Sequence, residues 1–188
     1  MVSAMATTIP ADLDALWGSD RTRQNEAYTA IMAATEQPVD WADAVWEQAV
    51  GNLAHKDNHN RAIAAQLLCN LAKSDPEGRI LQDFDKLLAV TKDERFVTAR
   101  HCLQNLWKVG VAGAAQRARL LEGLEMRYFE CMAEKNWSLI RFDIIQGLRH
   151  LYDAVLDEAV KAQALALIGC QDDTKYRKKY AGVWKSAK

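Results

Sequence analysis

The chain has 188 residues, about half apolar and a quarter charged, with a formal net charge of -1. That composition fits one domain, or one short solenoid, with a sizeable core, and it excludes a disordered chain. Three prolines, nine glycines and abundant alanine favour helix over an all-β fold.

No run of about 18 apolar residues occurs, so no transmembrane helix is expected. Met1 to Ile9 lacks the basic start and long apolar stretch of a signal peptide. Residues 1–10 are expected to be a disordered lead-in to a single domain over 11–188.

The predicted elements follow in order. Pro10 opens a short helix ending at Trp17-Gly18, and Asp20 caps a helix to about Glu36, stopped by Pro38. Asp40 caps the next, where Ala42, Val45, Trp46, Ala49 and Leu53 form one apolar stripe. A polar break from His55 to His59 precedes a helix over Asn60 to Lys73. Asp75-Pro76-Glu77 joins a cap, a first-turn proline and an acid at the positive end of the dipole. Ile80, Phe84, Leu87 and Leu88 then line a stripe.

Asp93 caps a helix reaching Trp107, and Gly110 ends it. Gly113 to Glu134 is expected to be the longest helix, with Leu120, Leu121, Leu124, Tyr128 and Cys131 inward. Asn136 caps a helix to about Tyr152, and Asp157 caps one that aligns Val160, Ala164, Leu167 and Ile168. Asp173 caps a last helix with Tyr176, Tyr180, Val183 and Trp184 on one face.

A short apolar pattern recurs through these elements. Leu67-Leu68-Cys69-Asn70-Leu71 returns as Cys102-Leu103-Gln104-Asn105-Leu106 and as Ile144-Ile145-Gln146-Gly147-Leu148. Weaker copies end at Ile31 and Val183, so the spacings between last apolar positions are 40, 35, 42 and 35. Such a period marks a helical repeat array, in which stacked helix pairs bury a common spine. A small or compact residue precedes the last apolar one in each copy: Ala30, Asn70, Asn105, Gly147 and Gly182. Small side chains there are expected to let neighbouring helices approach closely.

The cap, the arginine-bearing first half and the Leu-x-x-Leu second half of each copy resemble a HEAT repeat. Asp93 to Leu106 is the best copy, followed by Asn58 to Leu71 and Asn136 to Leu148. The resemblance implies an all-α, right-handed α-α superhelix of about four and a half helix pairs, with 173–188 as the C-terminal capping helix. The fold alone does not name an activity.

Two enzyme families of similar architecture offer a comparison. Deoxyhypusine hydroxylases carry paired His-Glu dipeptides as iron ligands, and this chain has none. Alkylpurine DNA glycosylases resemble it in size and helix order. Their cleft uses tryptophans and an aspartate, for which Trp137 to Asp143 is the nearest segment here, without the matching pattern. Asp40, Asp43 and Glu47 make the second helix of the first pair acidic, and Glu122, Glu125 and Glu130 offset Arg117, Arg119 and Arg127 in that of the third. A phosphate groove is expected to be basic.

The remaining chemistry is sparse. Cys69, Cys102, Cys131 and Cys170 form no Cys-x-x-Cys pair and are expected to be reduced, buried thiols of a cytoplasmic protein. His55 and His59 are four apart but span a turn, without a third metal ligand. Most tryptophans fall on apolar stripes, with Trp41 and Trp137 the best placed to be exposed. No phosphate loop, catalytic triad or clustered metal ligands occur, so no cofactor is expected.

Arg100, Arg141 and Arg177 lie six or seven residues before the last apolar position of their repeats. They either bridge adjacent repeats or form a ladder for an acidic partner. Charge is uneven: residues 1–90 carry 13 acids and 7 bases, and Lys175 to Lys188 carries six bases and no acid. Lys175, Arg177, Lys178 and Lys179 surround Tyr176 and Tyr180, which suits a docking patch or the polar exterior of a cap. The expected function is a non-catalytic protein-binding or scaffolding module. The alternative is a glycosylase-like or other nucleic-acid-binding protein, disfavoured by the charge balance.

Overall fold

The computed structural model describes Pro10 and residues 13–185. The expected disordered lead-in over 1–10 therefore lies almost wholly outside the described residues. All secondary structure among the described residues is helical. A 3-10 turn at Leu13–Trp17 leads into α1 (Arg21–Ala34), α2 (Ala42–Asn52), α3 (Asn58–Leu71) and α4 (Arg79–Val90). After these come α5 (Phe96–Asn105), α6 (Trp107–Val111), α7 (Ala114–Glu130), α8 (Trp137–Val155), α9 (Glu158–Gly169) and α10 (Thr174–Val183).

The helices pack in two rows. The A row runs α1 on α3, α3 on α5, and α5 with α6 on α8, which α10 covers. The B row runs α2 on α4, α4 on α7 and α7 on α9, and each B helix also packs on its A neighbours. Helix α3 is enclosed by both rows, and eleven of its fourteen residues are buried. Its composition explains why: Ala62, Ala64 and Ala65 let neighbours approach closely along its first half, and Leu67, Leu68 and Leu71 fill the space along its second. Each of these leucines contributes roughly 2 kcal/mol by leaving water.

Side-chain bonds join each row at the repeat spacing. On the A row, Gln24 donates to Asn60 (2.8 Å), Tyr28 to Gln66 (2.8 Å), Asn70 to Thr35 (2.9 Å) and Tyr180 to the Ser138 carbonyl (2.9 Å). The partners stand 36, 38, 35 and 42 residues apart. On the B row, Trp46 donates to Asp83 and Arg127 to Thr91, each at 3.0 Å and at separations of 37 and 36. Each of these bonds links one helix, or its end, to the next in its row. Buried polar groups need such partners, since an orphaned one costs about 1–3 kcal/mol.

Several helix starts are capped as expected. Asp20 accepts from the N–H groups of Thr22 and Arg23, Asp157 from Ala159, and Asp173 from Lys175 and Tyr176. Others differ. Asp57, not Asn58, caps α3, and Trp41 occupies the cap position of α2 in place of Asp40. Asn136 holds the cap position of α8 without a side-chain bond. Asp75-Pro76-Glu77 forms a turn rather than a first helical turn: α4 begins at Arg79, after Gly78 at φ +69°, and Asp75 reaches forward to the Ile80 N–H at 2.8 Å. Asp93 precedes α5 by three residues; its Oδ1 accepts from the Arg95 N–H at 2.9 Å, and both its oxygens also accept from Arg61.

Gly110 does not end a helix. It lies inside α6, where a Cβ would stand 2.9 Å from Leu120 and Leu151. The longest helix is α8, with 19 residues, not α7, with 17. At Gly147 a Cβ would stand 3.8 Å from the Trp107 Cβ and 3.9 Å from the Leu103 carbonyl oxygen, so α5 and α6 come into contact with α8 there with room for one methyl, whereas the expected close approach at Gly182 is absent, with nothing within 4 Å. The tight crossing is at Gly123, where a Cβ would stand 2.8 Å from the Phe84 ring. Cys69, Cys102 and Cys131 are buried free thiols, but Cys170 is exposed at the end of α9. Trp41 is 5% exposed rather than open, and Trp137 is half-buried.

Candidate functional site

Helix α10 is held by its apolar face. The Tyr180 ring is buried, and Trp137 meets Tyr176 edge-on with centroids 4.9 Å apart. This anchoring turns Lys175, Arg177, Lys178 and Lys179 to the exposed side. None of the four has a carboxylate within 4.0 Å among the described residues. The Lys179 ammonium lies 4.7 Å from the Phe142 ring centroid and the Lys175 ammonium 5.7 Å from Tyr176. Two of the four charged ends thus lie over aromatic rings on the exposed side of the helix. Lys188, the last base of the run, lies outside the described residues.

The other two arginines singled out by the sequence are occupied within the fold. Arg100 on α5 donates to both oxygens of Asp143 on α8, at 2.7 and 2.9 Å. Arg141 is buried, donates to the Tyr128 carbonyl at 2.9 Å and stacks 4.1 Å over the Tyr128 ring. The same geometry bears on the Trp137 to Asp143 segment. Asp143 is 3% exposed with both oxygens committed, so it offers no free carboxylate to a cleft.

A groove of ≈ 460 Å³ with a mixed lining opens between α1, α3 and α5, lined by Arg21, Tyr28, His59, Gln66, Val97 and His101 among others. Asp57 at its edge accepts from Arg21 at 2.5 Å. Burial pushes the Asp57 carboxyl up, but the His59 N–H, the Arg21 guanidinium and the His59 ring outweigh it and hold the group down to about 2. Burial, then the neighbouring Arg100 charge, lowers the His101 imidazole below its ordinary value. Sequence reading missed this groove because its residues come from three helices that only the fold brings together. His55 accepts from the Asp57 N–H, and His59 lies 3.2 Å from the Asp57 carboxylate, so both histidines serve this turn.

Charge divides between the rows. The A-row helices, with the 3-10 turn that extends α3, carry twelve bases and three acids, whereas the B-row helices carry six bases and eight acids. Much of the A-row charge is neutralised locally, by Arg21–Asp57, Arg61–Asp93, Arg100–Asp143 and Arg149–Asp153. Half of the unneutralised remainder is on α10, and the rest is Arg23, Lys73, Lys108 and Arg141.

Among the described residues, no group of three or more His, Cys, Asp or Glu side chains could hold a metal. No described helix is long and apolar enough to cross a membrane. Comparison with protein-family models and with curated proteins gives no match for this chain.

Proposed function

We propose that the chain is a non-catalytic, cytoplasmic protein-binding or scaffolding module. It is a right-handed α-α superhelix of about four and a half HEAT-like helix pairs over 11–188, capped by 173–188. The partner presents an acidic segment to α10. The observation that carries this reading is the exposed quartet Lys175, Arg177, Lys178 and Lys179, which has no carboxylate within reach among the described residues. A cap needs only a polar exterior, and mixed charges would supply it at less self-repulsion. Four like charges on one helix instead steer and fix a partner of opposite sign.

Nucleic acid fits less well. A duplex offers an extended row of phosphates, and its binding calls for a matching row of free cations. Between α1 and α10 the A-row arginines are tied to carboxylates or, for Arg141, buried on a carbonyl. Free charge is therefore patchy along the row.

Fluorescence anisotropy tests the reading, with the full chain titrated into a labelled oligoglutamate peptide and a labelled DNA duplex. The peptide is expected to bind, to weaken with salt, and to bind at least tenfold more weakly to the Lys175→Glu/Lys178→Glu/Lys179→Glu variant. Circular dichroism should show that variant folded. Tighter binding of the duplex than of the peptide, or release of a methylated purine, would overturn the protein-binding reading.

A further inference from the structure

Lys73 follows Leu71 by two residues and Lys108 follows Leu106 by two, and the fold sets the two lysines side by side, Lys73 just past the end of α3 and Lys108 in α6. One residue links them. Lys73 donates to the Asn70 carbonyl at 3.0 Å and to the Thr35 carbonyl at 2.6 Å. Lys108 donates to the Asn70 side-chain oxygen at 2.7 Å and to that of Asn105 at 2.8 Å. An ammonium has three donors, so each keeps one beyond these bonds. Both line a cleft of ≈ 350 Å³ with Glu36, Trp107 and Val111.

All four acceptors are neutral. Neither lysine has a carboxylate within 4.0 Å among the described residues, and Glu36 stands at the rim beyond that distance. Burial lowers both ammoniums from their ordinary value, and for Lys73 the Lys108 charge lowers it further. Two half-buried like charges on neutral partners repel each other, and an anion between them would remove that cost.

The geometry points to a binding site for a small phosphate-bearing molecule, its phosphate held between Lys73 and Lys108 and its remainder against Trp107 and Val111. The site is separate from α10 and does not depend on the docking role proposed for that helix.

Calorimetric melting of the full chain in inorganic phosphate, against sodium chloride of equal ionic strength, tests it. Ligand that binds only the folded state raises Tm with concentration. A phosphate-specific rise is expected in the wild type and in the α10 triple variant. In Lys108→Gln the apparent Kd should weaken at least tenfold, and in Glu36→Gln, where the competing carboxylate is gone, it should tighten. Lys73 also closes helix ends, so Lys108→Gln is the decisive variant. An equal rise in wild type and Lys108→Gln, no rise in either wild type or Glu36→Gln, or loss of the rise only in the α10 variant would each overturn the site.

Discussion

Asp143 on α8 and Arg100 on α5 form a two-pronged ion pair in which the acid is almost completely enclosed and the base is not. The Asp143 side chain is 3% exposed and that of Arg100 is 34% exposed. The two single substitutions should therefore differ. Arg100→Leu strands a buried carboxylate, whose loss of a partner costs about 3 kcal/mol or more. Asp143→Asn leaves a guanidinium that can turn toward water, and we predict a loss of about 1 kcal/mol. Urea midpoints with unchanged m-values would measure both. Equal losses would mean that Arg100 acts through packing rather than by neutralising Asp143.

Glycines give a second contrast. At Gly123 a new Cβ would press on Phe84 at 2.8 Å and on Leu88 at 3.2 Å, both buried where α4 meets α7. Gly123→Ala is predicted to destabilise by about 1–3 kcal/mol through overpacking. Gly147, in the middle of α8, has ordinary space around the same atom. There the helix preference of alanine should prevail, and Gly147→Ala should stabilise by about 0.5–1 kcal/mol. Thermal midpoints of the two variants should move in opposite directions.

What the sequence reveals follows the range of the interactions involved. The stripe Ala42, Val45, Trp46 and Ala49 is buried as its helical spacing requires, because periodicity is local. Asp20, Asp157 and Asp173 cap their helices because a carboxylate two residues ahead of free N–H groups is within reach of them, whatever else it binds: Asp157 also accepts from Arg117. Asp93 makes the same bond to the Arg95 N–H, but its second partner, Arg61, lies 32 residues away and no local pattern announces it. Asp75 likewise spans a turn that Gly78 permits by adopting a left-handed conformation. The α10 cations are legible as a charge run. The Lys73–Lys108 pair is legible only once the repeat register is known, since 35 residues separate the two.

The pH response near α1 should trace to Asp57. Its carboxyl is held down to about 2 in the fold, against about 4 in an unfolded chain. A depressed acid favours the folded state when ionised, so this contribution is complete above about pH 4. It is lost as pH falls from there toward 2. Partial exposure screens the pair, and we predict that Asp57→Asn costs about 1 kcal/mol at neutral pH. The urea midpoints of variant and wild type should converge as pH falls through that window. A gap that persists below it would assign the loss to the helix cap, not to the charge.

Leu156 ends α8 at φ 52°, the one non-glycine residue with positive φ among those described. Its N–H donates to the Tyr152 carbonyl at 2.7 Å, so the left-handed turn closes the helix in the manner usually given to glycine or asparagine. A leucine there bears about 1–2 kcal/mol of steric cost. The side chain is 71% exposed, so little burial offsets it. Glycine removes the clash but loosens the unfolded chain, which returns about 0.4–1 kcal/mol. Leu156→Gly should therefore stabilise by a net of about 0.5–1 kcal/mol, read as a higher urea midpoint. Asparagine tolerates the same conformation with less unfolded-state entropy, so Leu156→Asn should do at least as well. A lower midpoint in both variants would mean that the exposed leucine makes a contact worth more than the strain it carries.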